Sequence, residues 1–142
     1  MANKIFFEQL NNVSRPVLFR KTIAAGDKGC MEAELAAHGV VKRVRVRFAA
    51  GENGTLHVRP QAIIPQEIAI DLLQYAEGGD KYISGDDETY EVDCKVEIEN
   101  HAKIRVWYDN TGSAASFLDV DVEVEYFAIV EPENIIGPRR GV

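Results

Sequence analysis

The residues with the chemistry to act are three histidines, two cysteines, a loop of carboxylates and one tryptophan. His38, His57 and His101 fall in or near separate turns, and none has a partner at metal-ligand spacing. Asp80, Asp86, Asp87 and Glu88 crowd the loop GGDKYISGDDE. Clustered oxygens in a glycine-containing loop can hold Ca²⁺, but this spacing departs from the EF-hand pattern, and such loops are commonly just solvated. The chain has no G-x-S-x-G elbow, phosphate-binding P-loop, G-x-G-x-x-G or H-E-x-x-H. No catalytic set, cofactor or metal is therefore expected, and the chain reads as a non-enzyme. Cys30 and Cys94 also lack metal-ligand spacing; Cys94 falls on an apolar strand face, as a buried inert thiol would, and a disulfide stays open. Trp107 stands apart. Alternation places it outside the core beside Arg105, where it can stack on a sugar ring or be covered by an arm or a neighbouring subunit. A sugar platform is usually built from two or three coplanar aromatics, and the sequence offers one, which favours the covered reading.

At 142 residues the chain is expected to form one domain with a sizeable core. Its net charge of −7 excludes a general nucleic-acid binder, which needs excess Lys and Arg to neutralise phosphates. The one basic run, Lys42 to Arg47, is interleaved with apolar residues and should be consumed by the protein's own carboxylates. No apolar run approaches the ~20 residues that span a bilayer, so no membrane partner is expected. The start, MANKIFFEQLNN, lacks the features of a secretory signal, so synthesis in a cytoplasm is the expectation.

The elements that must position these side chains are strands. In Ser116–Phe127, Leu118, Val120, Val122, Val124 and Tyr126 alternate with Asp119, Asp121, Glu123 and Glu125. Period two puts the apolar set on one face and four carboxylates on the other, and like charges in a row need cations alongside. Val40–Phe48 supplies them, with Arg43, Arg45 and Arg47 alternating with Val44, Val46 and Phe48. Other strands are expected at Val17–Ala24, Cys30–Ala36, Thr55–Ile64, Glu88–Asn100 and Ala102–Asp109. In QEIAIDLLQYA a strand at Glu67–Asp71 is held ahead of a helix. Gly51-Glu52-Asn53-Gly54 reads as a hairpin turn, and Pro60 suggests an edge strand or a bulge. About eight strands and almost no helical periodicity predict an all-β, two-sheet antiparallel sandwich of jelly-roll topology. There the eighth strand lies between the first and third, and the third between the eighth and the largely acidic sixth. The body is expected over residues 16–130, with an N-terminal arm at 1–15 and an extended tail at 131–142.

The layout of RFAAGENGTLHVRP, KYISGDDETYEV and IRVWYDNTGSAASFLDVDVEVEY resembles small β-sandwich virion proteins of tailed bacteriophages and prophages, nearest the capsid decoration type. The resemblance implies a homo-oligomer, commonly a trimer, bound to the major capsid protein in the virion through terminal arms. The contact residues would be Phe6 and Phe7 in one arm, Ile135 and Ile136 in the other, and Trp107 with Arg105 on the body. A carbohydrate-binding or host-recognition module using Trp107 is the alternative.

Overall fold

A computed structural model describes residues 12–35, 37–73 and 82–127. The fold is an all-β sandwich of eight strands in two antiparallel four-stranded sheets. The strands are β1 (Asn12–Ile23), β2 (Lys28–Glu34), β3 (Gly39–Phe48), β4 (Leu56–Ile64), β5 (Ile68–Asp71), β6 (Glu88–Ile98), β7 (Lys103–Asn110) and β8 (Ser116–Phe127). One sheet has the order β1-β8-β3-β6 and the other β2-β7-β4-β5. β8 thus lies between β1 and β3, and β3 between β8 and β6, as the charge pattern requires. The inner faces meet in one apolar core, with Val44, Val46, Phe48, Leu118, Val120 and Val122 against Leu56, Val58, Ile104 and Val106.

The acidic face of β8 is neutralised residue by residue. Asp119 pairs with Arg20 of β1 at 3.2 Å, Asp121 with Arg45 at 2.7 Å, Glu123 with Arg43 at 3.7 Å and Glu125 with Lys42 at 3.7 Å. On its other side β3 meets the acidic β6, where Arg43 binds Asp93 at 3.1 Å and Arg45 stands opposite Glu91. A register shift between Val41 and Arg43 marks a bulge that puts Lys42 and Arg43 both outside. At its foot Gly39 lies so close to the Glu125 carbonyl that a Cβ would collide with backbone.

Three expectations are corrected. Gly51–Gly54 turns the chain, with positive φ at Gly51, Asn53 and Gly54, but closes no hairpin, since β3 and β4 belong to different sheets. The turn residues specify a reversal; the long-range pairing of β3 with β6 and β8 decides where the next strand goes. Pro60 is neither on an edge strand nor at a marked bulge, for β4 lies between β7 and β5. On the β5 side of β4, Val58 bridges Ile83 and β5 pairs from Gln61 onward, so Pro60 falls in the gap. Its missing N–H is asked for nothing there, and its carbonyl accepts a bond from the Leu72 N–H at 3.1 Å. β1 begins at Asn12 rather than Val17; Pro16 is tolerated inside it because β8 is its one strand neighbour among the described residues.

Cys30 is exposed and Cys94 half-buried, and both are free thiols. Burial, helped by the Asp93 charge, pushes the Cys94 pKa up to about 11, which leaves it protonated and inert at neutral pH.

The Arg45–Asp121 pair is half-open to water, so its expected worth is modest. A double-mutant cycle on Arg45→Ala and Asp121→Ala, read by urea unfolding, should give a coupling of about 0.2–1 kcal/mol that shrinks in high salt. Zero coupling at low salt would show that apolar pairing alone holds the register.

Candidate functional site around Trp107

β7 runs between β2 and β4, which brings three rows of side chains together on the outer face of the second sheet. Trp107 stands opposite Cys30 on one side and Arg59 on the other; Arg105 stands opposite Glu32 and Gln61, and Asp109 opposite Lys28 and His57. Gln61 is the pivot. Its Oε1 accepts from the Trp107 indole N–H at 2.8 Å, while its Nε2 donates to Asp71 at 3.1 Å. Asp71 in turn takes a two-pronged bond from Arg59, at 2.7 and 3.0 Å, on the geometry for which guanidinium and carboxylate are matched. The Arg105 guanidinium lies 5.8 Å from the Trp107 ring centre and binds Glu32 at 2.5 Å and Glu67 at 3.2 Å. Those contacts hold the Arg105 pKa above its ordinary value, the Glu32 hydrogen bond most strongly.

Tyr82 completes the site. Its ring lies 5.4 Å from the Arg59 guanidinium, a cation–π contact, and the Ile83 bridge to Val58 holds it beside β4. Trp107, Tyr82, Tyr108, Lys28, Gly29 and Asp109 line a shallow groove of about 330 Å³.

Of the sequence-derived contact residues, the structure brings Trp107 and Arg105 together; Phe6, Phe7, Ile135 and Ile136 lie outside the described residues. Tyr82, Arg59, Gln61 and Asp71 were not foreseen as parts of this site. Nothing in the local pattern around Tyr82 signals that an isolated bridge to β4 carries it to Trp107. The outward phase of Arg59 on β4 was a readable hint, without its partner.

The other candidates resolve into structural roles. Asp86 Oδ1 accepts the backbone N–H groups of Gly51 at 2.7 Å and Asn53 at 3.1 Å, bracing the β3–β4 corner. Asp87 lies 3.7 Å from Arg47, and Glu88 accepts from the Asp86 N–H at 3.2 Å; Asp80 lies outside the described residues. His101 contacts Glu34 at 3.2 Å. Among the described residues no three His, Cys, Asp or Glu side chains converge as a metal site. No helix among them is long and apolar enough to cross a membrane.

One buried acid sits in the same corner. Glu52 is 7% exposed; its Oε2 accepts the Phe117 N–H at 3.0 Å, and its Oε1 has no hydrogen-bond partner among the described residues. Burial pushes its pKa up, against the pull of the Phe117 and Ala49 backbone donors, and Asp86 adds to the rise.

No family model matches the chain, and no curated protein matches it. Among solved structures it is similar to the Yersinia pseudotuberculosis-derived mitogen, at 9% identity and a TM-score of 0.47, over 86% of this chain and 92% of that one. PirA is similar at 16% identity and a TM-score of 0.44, over 78% of this chain and 92% of that one. A chain of infectious bursal disease virus, Gx strain, is similar at 11% identity and a TM-score of 0.41, over 85% of this chain but 33% of that one. At these identities no activity transfers from them to this chain.

A carboxyl raised on folding binds its proton more tightly in the folded state, so its burial costs nothing well below pH 4.5 and progressively more as pH climbs through the raised value. The stability of the native protein relative to Glu52→Gln, followed by urea midpoint, should therefore fall as pH rises from the acid side of that window. A difference that stays constant with pH would show that Glu52 titrates normally.

Proposed function

We propose that this chain is a non-enzymatic structural protein of a phage virion, a capsid decoration protein that docks on the major capsid protein as a homo-oligomer, with a trimer the expected form. The observation that carries this reading is a set of exposed apolar side chains on the edge strand β1 and its neighbour β8. Leu18, Phe117 and Phe127 are 41–46% exposed on the outer face of that sheet, and Val13, on the other face, is 40% exposed. Large apolar groups left exposed on neighbouring strands are what a partner surface covers. Pro16 sits within β1 and cannot donate a ladder bond, which opposes open-ended strand addition at that edge. Docking through side chains suits a closed assembly better than a fibre. The rest of that sheet's outer face is bound up in internal ion pairs, which supports scaffolding over catalysis.

The test is the mass of the full chain by light scattering across a concentration series, with co-sedimentation on purified heads built from the major capsid protein. Burying one such side chain stabilises by roughly 1.5–3 kcal/mol. A Leu18→Glu, Phe117→Glu double variant should therefore weaken assembly or retention at least about tenfold while keeping the native far-UV spectrum. A wild-type chain that stays monomeric and washes off the heads would refute the reading.

A further inference from the structure

We propose that the groove between Trp107 and Tyr82 is a binding site for a neutral hexopyranose ring. It stands independently of the assembly reading, on a different sheet. Its volume of about 330 Å³ lies at the small end of the ~300–1,000 Å³ range of ligand pockets, room for one sugar ring rather than an extended chain.

Among the described residues the charges around it are already spoken for. Arg59 is held by Asp71, and Arg105 and Lys103 together by Glu32 and Glu67. At the mouth Lys28 and Asp109 face each other across β2 and β7, so their charges cancel over the groove. A site with no net charge gives an anion or a cation no advantage, whereas one ammonium donor and one carboxylate acceptor suit the hydroxyls of an uncharged sugar. This balance separates it from the cavity of about 160 Å³ lined by Arg20, Arg45, Arg47, Thr89 and Asp119, where three guanidinium groups meet one carboxylate.

The aromatic components are held in place before any ligand arrives. The Trp107 N–H is committed to Gln61, so the indole offers ring surface rather than a donor, and the Gln61–Asp71–Arg59 chain fixes its plane. Tyr82 is fixed against that same Arg59. A pyranose carries an apolar C–H face and a rim of hydroxyls, and pre-set rings bind such a face with little ordering cost. The Ile83 bridge thus brings Tyr82, distant in sequence, to the groove beside Trp107.

Trp107 is the chain's one tryptophan and reports on its own site. The full chain is titrated with the methyl glycosides of glucose, galactose and N-acetylglucosamine, into the tens of millimolar, following Trp fluorescence and the amide shifts of Gly29 and Asp109. At least one sugar should give a saturable response with a millimolar Kd. Tyr82→Ala and, separately, Lys28→Ala should each weaken it at least about fivefold with an unchanged melting temperature. No saturable response to any of the three sugars overturns the proposal, as does a response that both variants retain at wild-type affinity.

Discussion

Four carboxylates spaced two apart along β8 cannot share a sheet face without cations on either hand, and the order of the first sheet follows from that. β6 exposes Glu91, Asp93 and Glu97 on its own outer face, so it is barred from β8 by like-charge repulsion. β3, with Lys42, Arg43, Arg45 and Arg47, satisfies both and must lie between them. β1 closes the other side of β8 with Arg20 on Asp119. Each pair is half-open to water and worth little alone. The pattern acts by penalising wrong neighbours and slipped registers, while Val44, Val46, Leu118, Val120 and Val122 beneath it supply the stability.

The second sheet uses charge differently. Arg59 with Asp71 links β4 to β5, and Arg105 links β7 to β2 through Glu32 and to the β4–β5 turn through Glu67, so they tie the outer strands to the two inner ones. β5 has four residues and could not hold its place on backbone bonds alone. The Asp71 link and the Ile83 bridge together finish the side of β4 that Pro60 leaves open. The tie that steadies the edge also orients Trp107 through Gln61.

Legibility from the linear chain followed the range of the interaction concerned. Period-two patterning in Glu88–Ile98, Lys103–Asn110 and Ser116–Phe127 exposed their inward and outward residues, because burial on a strand depends only on phase. The order of the first sheet was legible because a formal charge is written in the sequence and acts on its immediate neighbour. The corner at Gly51–Gly54 was misread because a turn's residues set local φ and say nothing of which sheet receives the next strand. Pro60 misled because a prolyl nitrogen needs a gap in one ladder, and a bridge from Ile83 leaves such a gap inside the sheet. Tyr82 was invisible as a site residue for the same reason: its position is set by one backbone contact with Val58.

With one exception, β4 to β5, consecutive strands lie in opposite sheets, so the chain crosses the sandwich at almost every connection. At several of these crossings polar side chains take up backbone groups near strand ends. Asn110, fully buried, donates to the carbonyls of Ile23, Ala24 and Ala114 and accepts from the Gly112 N–H, joining the end of β1 to the β7–β8 corner. Glu52 caps Phe117 where β8 begins, and Asp86 caps Gly51 and Asn53 where β3 has just ended. Such groups are costly to bury unpaired, so each corner has few alternatives to the one it adopts. Corners closed by polar side chains, one sheet face closed by ion pairs and a centre closed by apolar packing leave, among the described residues, exposed apolar side chains on β1 and β8 and an aromatic groove beside β7. The two belong to different sheets of the sandwich.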